Sequence, residues 1–416
     1  MRTIEFPTVI GDTIIVPDGH CFLIYGQGVK KVARSSNLCA EVMENLIQAG
    51  FFREVCSEVI PAPQKLSNLM LLLSKRCPLR CVYCYANTGA SNELMSVELA
   101  DKAIACYLAL NHKNPRVTLF GAGEPTSAAQ VIKHVVAKYN TRVRWTLTTS
   151  GVMSVTLLEW LIDYNVGITF SIDGPPSIQD RLRPLKGGFP SSSHVERSLR
   201  IWKKRSSNPL SVRTTLTSDS IPRIGEILEY FEDLGVDRIH LEPMYGLGRG
   251  KNINCAAPIE VEQWVDAIIH ALEWARRASK KVRVGELTYF FQGATHRSYC
   301  GPMGGSTLVV NHRGELTACS EVDDGLNKKW PSFFIGNIGD GFVVDGGKAE
   351  YLASRRTTNM KQCHDCFVRN LCRGGCAHKG LTKTGDLFTP DPTHCAFMRA
   401  IIPRIIKRVA EGAYLK

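Results

Sequence analysis

No stretch of this 416-residue chain approaches the ~18 uninterrupted apolar residues that a membrane span requires. The opening run Met1-Arg-Thr-Ile-Glu-Phe-Pro7 lacks the apolar core of a secretory signal, so a cytoplasmic protein without a membrane partner is the expectation. Internal repeats and low-complexity tracts are also missing, which removes repeat arrays and disordered linkers from consideration. Basic residues cluster in solvated-looking stretches such as 197–213 without the aromatic–basic alternation that single-strand binders use, and this argues against a nucleic-acid binder. What remains is a globular composition with 22% charged and 44% hydrophobic residues and a net charge of +12. That charge suits an acidic or phosphate-bearing partner, or offsets the negative charge of thiolate-bound metal. Cysteine is abundant: fifteen in a cytoplasmic chain point to metal rather than disulfides, and seven of them fall between Cys300 and Cys395.

The length suggests two or three domains. Residues 1–66 carry short strand-like runs (4–6, 13–16, 21–25, 30–33), a helix-like stretch at 36–50 and the linker Pro61-Ala-Pro63. From 67 to 290, strands at 69–73, 117–120, 143–149, 167–172, 211–217 and 238–242 alternate with amphipathic helices at 96–110, 128–139, 155–164, 195–204, 222–234 and 260–279. The fold class read from this is α/β, a partial (β/α)6 barrel with its chemistry on the loops after the strands. From 296 to 400 Gly and Cys dominate and helical periodicity disappears. A last helix covers 397–413, so that 401–416 forms a C-terminal helical segment.

Cys77, Cys81 and Cys84 leave the first barrel strand with gaps of three and two residues. Three thiolates leave one iron of a [4Fe–4S] cube without a protein ligand, and such an iron can bind a small molecule. A zinc knuckle or scattered buried thiols is the other reading of the triad alone. After the second strand, Gly121-Ala122-Gly123-Glu124-Pro125 offers glycines for close backbone approach to a ligand and a carboxylate able to accept from an ammonium group. Thr148-Thr149-Ser150-Gly151 follows the third strand. Ser171-Ile172-Asp173-Gly174-Pro175 leads from the fourth into Gln179-Asp180-Arg181-Leu182-Arg183. Each of these also reads as a plain turn or solvated face.

Taken together, the triad, the aromatic Tyr83 before its last cysteine and the Gly123-Glu124-Pro125 turn resemble the radical S-adenosylmethionine (SAM) enzymes. There the open iron chelates SAM and reduces it to a 5′-deoxyadenosyl radical. The resemblance implies a SAM site made of Tyr83, Gly123, Glu124, Pro125, Ser150, Ser171, Asp173 and Arg183. Within it Glu124 would hold the amino group, Ser171 and Asp173 the ribose hydroxyls and Arg183 the carboxylate.

Further on, Cys300, Cys319, Cys363-x2-Cys366-x5-Cys372-x3-Cys376 and Cys395 resemble the SPASM extension of that family. The resemblance implies two auxiliary [4Fe–4S] clusters, one on Cys300, Cys319 and Cys376 and one on Cys363, Cys366, Cys372 and Cys395. Three clusters and SAM are thus the implied cofactors. The first auxiliary cluster would have an open iron, or Ser306 or Cys255 as its fourth ligand. Mixed Cys/His zinc sites drawing on His364, His378 or His394 are the alternative.

SPASM enzymes of this kind modify peptides or proteins, so the implied activity is a radical SAM peptide maturase. It would abstract hydrogen from a ribosomally made precursor and form a crosslink or other oxidation, drawing electrons from a flavodoxin- or ferredoxin-like donor. Alternatives are a sulfatase-maturase-like oxidation, disfavoured because Ser320 stands where that group has an Asp base, and a small-molecule or tetrapyrrole enzyme. A peptide epimerase with Cys255 as hydrogen donor and a non-catalytic scaffold complete the set. Residues 21–50 resemble the hairpin-plus-helix of leader-peptide recognition domains, which add a peptide strand at a sheet edge; a simple cap on the barrel is the competing expectation.

Overall fold

The computed structural model describes residues 7–10, 12–27, 31–52, 66–89, 91–110, 113–251, 259–279, 281–285, 298–323 and 331–411. Four antiparallel strands in chain order, β1 (Thr8–Ile10), β2 (Thr13–Asp18), β3 (Cys21–Gly26) and β4 (Lys31–Ser35), form a first sheet followed by α1 (Ala40–Gln48). Side chains alternate across a strand, so this sheet has two apolar faces. Ile15 and Ile24 pack with Leu46 and Phe51 beside α1. Ile14, Val16, Leu23 and Tyr25 join the main core instead. The expected strand at 4–6 lies outside the described residues.

A second sheet holds β5 (Asn68–Leu72), β6 (Arg116–Phe120), β7 (Arg144–Thr149), β8 (Gly167–Ser171), β9 (Ser211–Leu216) and β10 (Arg238–Pro243), all parallel and neighbours in chain order. Each expected strand is present within one residue at its ends. The connecting helices are α2 (Val97–Ala109), α3 (Ala129–Tyr139), α4 (Val155–Asp163), α5 (Pro176–Leu182), α6 (Ser192–Arg205), α7 (Ile224–Asp233) and α8 (Val261–Arg277). The helix α5 was not among the expected helices; its Pro176 stands in the first turn, where proline's missing N–H costs nothing.

Six parallel strands understate the sheet. β11 (Arg283–Val284) extends it beside β10, and β12 (Thr307–Val310) pairs parallel with β5 on the other side. β12 also pairs antiparallel with β13 (Glu315–Thr317), which leads to β14 (Phe334–Ile338) and β15 (Phe342–Val344). The cysteine-rich segment is therefore continuous with the barrel sheet. It also contains α9 (Gly346–Ala353), α10 (Arg369–Cys372) and α11 (Ala377–Thr384), contrary to the expected loss of helix. The glycines that hid α11 include Gly380, where a Cβ would stand 2.6 Å from the Thr389 carbonyl. The last helix, α12 (Pro392–Ala410), begins five residues earlier than expected, capped by Asp391, whose carboxylate accepts from Thr393 N at 3.0 Å. Cys395 thus lies in its first turn.

Barrel strands alternate strictly. Leu69, Leu71, Val117, Leu119, Phe170, Val212 and Leu241 are fully buried toward the helices. The intervening Met70, Thr118, Thr148, Ser171, Arg213, Thr215 and Glu242 face inward and line a cavity.

Candidate active site

That cavity, of about 350 Å³, opens at the C-terminal ends of the parallel strands. Cys77, Cys81 and Cys84 all line it, on the loop after β5. Two arginines fasten this loop by its carbonyls. Arg80 donates to Cys77 O (3.2 Å), Leu79 O (2.9 Å) and Gly89 O (2.7 Å). Arg249, from the loop after β10, donates to Cys81 O (2.9 Å) and Thr88 O (2.8 Å). Its neighbour Gly248 has φ +53°, and a Cβ there would lie 2.3 Å from the Cys84 and Tyr85 carbonyls. Only glycine allows this approach.

The Gly-Ala-Gly-Glu turn packs on the same loop. Gly123 N donates to Ser74 O at 2.7 Å and Glu124 N to Arg76 O at 2.8 Å. A Cβ on Gly123 would stand 2.3 Å from Arg76 O, and one on Gly121 2.9 Å from Ser74 O. These glycines therefore join two loops as well as lining the cavity, where the sequence suggested approach to a ligand; Ala122 has room for its methyl. Glu124 lines the cavity at 3% exposure. Its Oε1 accepts from Thr126 N (3.1 Å), Thr126 Oγ1 (2.8 Å) and Thr149 Oγ1 (2.6 Å), and its Oε2 from Ser150 N (2.7 Å). Four bonds fix the carboxylate rigidly, while Pro125, Ser150 and Ser171 line the cavity beside it.

Asp173 occupies a different place from the one expected. It is 0% exposed and stands behind the cavity wall. One oxygen accepts from Thr215 N at 3.0 Å. The other accepts from the Tyr83 hydroxyl and lies 3.0 Å from Arg183 Nε. The guanidinium of Arg183 also stacks over the Tyr83 ring, 5.2 Å from its centroid. Asp173 thus orients two side chains that do line the cavity, and its oxygens are already occupied by them. Gln179 is buried under it, accepting from Asp173 N at 3.0 Å and donating to Ser191 Oγ at 3.1 Å.

A further group of lining residues was not anticipated. Arg213 and Glu242 form an ion pair at 2.5 Å. Lys379, from α11, holds its ammonium 3.4 Å from the centre of the Tyr245 ring. Glu321 accepts from His378 Nδ1 at 3.0 Å in the tautomer that places hydrogen there. Burial pushes the Glu321 carboxyl up, but Lys379 and His378 outweigh it and hold the group down at about 2. The sequence signal was a charge at an inward strand position, Arg213 after Val212 and Glu242 after Leu241. Lys379 and Glu321 had no comparable signal: the glycines of α11 hid its helical period, and the segment around Glu321 follows none.

This group adjoins the C-terminal cysteines. Burial and then the Cys376 charge push Cys300 up to about 12, and Cys319 is raised by burial, Glu321, Cys376 and Cys300. These three thiols therefore share one neighbourhood. In a second, burial and then Cys395 and Cys366 push Cys363 up to about 11, and Cys372 is raised by burial, Cys395, Cys363 and Cys366. None of the seven is in a disulfide. Ser306 donates to Gly301 O at 3.4 Å at the entrance to β12. Cys255 lies outside the described residues.

Residues 71–219 match the radical SAM superfamily. The chain is a radical SAM enzyme. It is 25% identical over 348 residues to the PqqA peptide cyclase of Methylocella silvestris, covering 80% of this chain and 88% of that one. Its fold matches that of anSMEcpe, solved with bound AdoMet and Cp18Cys peptide, at TM-score 0.67 and 16% identity over 84% of this chain and 99% of that one. It also matches Streptococcus suis SuiB, solved bound to precursor peptide SuiA, at TM-score 0.58 and 12% identity over 94% and 100%.

A radical SAM enzyme uses SAM and a [4Fe–4S] cluster, and the cavity suits both. Burial, then the charges of Glu124 and Cys81, push the Cys77 thiol up to about 12; burial likewise raises Cys81 to about 11. Cys77 and Cys81, raised this far, ionise only against bound metal, which deprotonates a coordinating thiol outright. The Tyr85 hydroxyl is buried at this cavity with no partner among the described residues, as expected of a wall that receives a polar ligand. Among the described residues no helix is long and apolar enough to cross a membrane.

Proposed function

We propose that this radical SAM enzyme is a peptide maturase that removes hydrogen from a ribosomally made precursor and leaves it crosslinked or otherwise oxidised. The observation that carries the reading is a single cavity lined by two unlike groups. The three-cysteine loop, Glu124 and Arg183 form one. Arg213, Glu242, Tyr245, Lys379 and Glu321 form the other, beside Cys300, Cys319 and Cys376. The similarity to a peptide cyclase over most of both chains supports a peptide as substrate.

When bound, the first cluster supplies the electron that cleaves SAM, and the adenosyl fragment takes a hydrogen atom from the substrate. Cys77, Cys81 and Cys84 hold that cluster. Glu124, its oxygens already oriented by four donors, accepts from SAM's ammonium group. Arg183, set by Asp173, offers its fork to SAM's carboxylate, and the Tyr83 ring supports the guanidinium. Lys379, Glu321, Arg213 and Glu242 contact the peptide's polar groups and hold one C–H bond toward SAM.

In this reading Cys300, Cys319 and Cys376 hold one auxiliary cluster and Cys363, Cys366, Cys372 and Cys395 a second, as in SPASM domains. The clusters these cysteines would hold would supply an acceptor for the electron that leaves the substrate when a new bond forms. A flavodoxin- or ferredoxin-like protein reduces the first cluster.

The test is anaerobic incubation of reconstituted enzyme with SAM, a reductant and peptides translated from short reading frames beside its gene. A peptide that loses two hydrogens by mass spectrometry, with matching 5′-deoxyadenosine release, is the expected result. Release of 5′-deoxyadenosine with a small-molecule acceptor, and every peptide unchanged, overturns the peptide reading.

A further inference from the structure

Between the two C-terminal cysteine groups lies a buried arginine. Arg355 follows α9 and is 5% exposed. It donates from Nε to Leu387 O at 2.6 Å, from Nη1 to Gly375 O at 2.9 Å and from Nη2 to Gly374 O at 2.9 Å. Two of these carbonyls belong to the loop between Cys372 and Cys376. There Arg373, Gly374 and Gly375 all adopt left-handed backbone, with φ of +53°, +78° and +65°. Such backbone strains an L-residue, and glycine avoids that strain. Space demands glycine as well, since a Cβ on Gly374 would stand 2.6 Å from Met360 Sδ and one on Gly375 2.8 Å from the His394 ring. The left-handed run turns two successive carbonyls onto one guanidinium.

Carbonyls share the guanidinium's protons but do not cancel its charge. Among the described residues Arg355 forms no ion pair with a carboxylate. The carboxylate that feels its charge, Asp386, is bonded to Thr389 Oγ1 and Phe388 N. A buried cation without a counter-charge is strongly unfavourable. The side chains whose negative charge would act on Arg355 are cysteines of both groups: burial lowers its pKa, while Cys376, Cys363, Cys300 and Cys372 raise it.

We propose that Arg355 is a shared counter-charge for the two auxiliary iron–sulfur sites, one guanidinium that stabilises the reduced state of both. This rests on the reading that each cysteine group holds a cluster. Reduction adds a negative charge to a cube already negative from its thiolates, and a fixed buried cation favours that addition. Shared between two cubes, the same cation brings both potentials up together and softens the repulsion an electron on one exerts on the other. Arg399 provides the contrast: it is exposed, bonds to the sulfur of Cys366, and its charge reaches Cys366, Cys395 and Cys363 of the second group.

Full-length protein, reconstituted anaerobically, is to be titrated electrochemically with the clusters followed by electron paramagnetic resonance, without substrate. Arg355→Gln is expected to lower the reduced-to-oxidised ratio of both auxiliary clusters about tenfold at fixed potential, about 59 mV for a one-electron couple. The first cluster is unchanged, and Arg355→Lys restores most of the shift. Arg399→Gln shifts one auxiliary cluster only. If Arg355→Gln fails to load fully, iron is expected to be lost from both auxiliary groups and kept on Cys77, Cys81 and Cys84. Unchanged auxiliary potentials at full iron content, a shift or iron loss confined to one group, or an equal shift in Arg355→Lys overturns the proposal. Wild-type protein that binds only the first cluster overturns instead the reading of the cysteine groups on which it rests.

Discussion

At Gly123 a methyl group has nowhere to go, because the Arg76 carbonyl would lie 2.3 Å from it. Gly123→Ala should cost about 1–3 kcal/mol by overpacking, read as a lower denaturation midpoint, and should loosen the cysteine loop enough to reduce iron retention. An unaltered midpoint with full iron would show that the two loops do not depend on each other. Asp173 sits in the same network by a different route. Removing its charge in Asp173→Asn strands a buried guanidinium, for which about 3–5 kcal/mol of destabilisation is expected. SAM titration of the variant should show weaker binding, since Arg183 and Tyr83 lose their anchor. Equal SAM affinity in the variant and the parent would mean that Arg183 is placed without Asp173. The sequence showed these residues as a motif but not their division of labour. Asp173 and Glu124 are both carboxylates after a strand, and only the placement of Asp173 behind Tyr83 and Arg183 separates it from Glu124, which lines the cavity.

At the scale of elements, the barrel strands were legible because their alternation is strict and Gly, Pro and polar loops bound them. β11 and β12 were not. β11 is only two residues long, and β12 follows a glycine-rich turn, so neither carries a period of its own. Both exist because an edge of the parallel sheet is there to pair with. The loop after β10 was legible as a loop, but its grip on the cysteine triad was not, since Arg249 meets Cys81 only in three dimensions. Arg249→Ala should therefore lower the affinity for the first cluster's iron while the auxiliary iron stays, measured by iron analysis after chelator challenge. Equal retention would assign the hold on the loop to Arg80 alone. The N-terminal sheet invites a parallel test. Leu23 and Tyr25 are buried in the same core as Ile402 and Ile405 of α12. Deleting residues 1–52 should thus destabilise the remainder; a deletion with unchanged stability would identify a detachable module.

Across the whole molecule, polar contacts tie distant halves together. Glu93 accepts from Arg313 Nη2 at 2.7 Å, joining the loop after β5 to the turn between β12 and β13. Hydrogen bonds from Arg313 and Ser91 hold the Glu93 carboxyl down at about 2. A carboxylate with a depressed folded pKa stabilises the fold above its unfolded value, about 4.3, and loses that contribution as pH falls toward about 2. The pair is partly exposed, so the effect is screened and modest. Between about pH 5 and pH 3 the denaturation midpoint should fall more for the parent than for Glu93→Gln; parallel curves would remove this contact from the account.

The central claim is that one cavity serves a SAM-cleaving cluster and adjoins further iron sites made by the C-terminal cysteines. Iron and sulfide analysis of anaerobically reconstituted protein, paired with 5′-deoxyadenosine assay, tests it most directly. The account predicts about twelve irons in the parent and about eight, with no SAM cleavage, when Cys77, Cys81 and Cys84 are all replaced by Ala. Stoichiometric zinc in the parent, or SAM cleavage that survives the triple replacement, would contradict it.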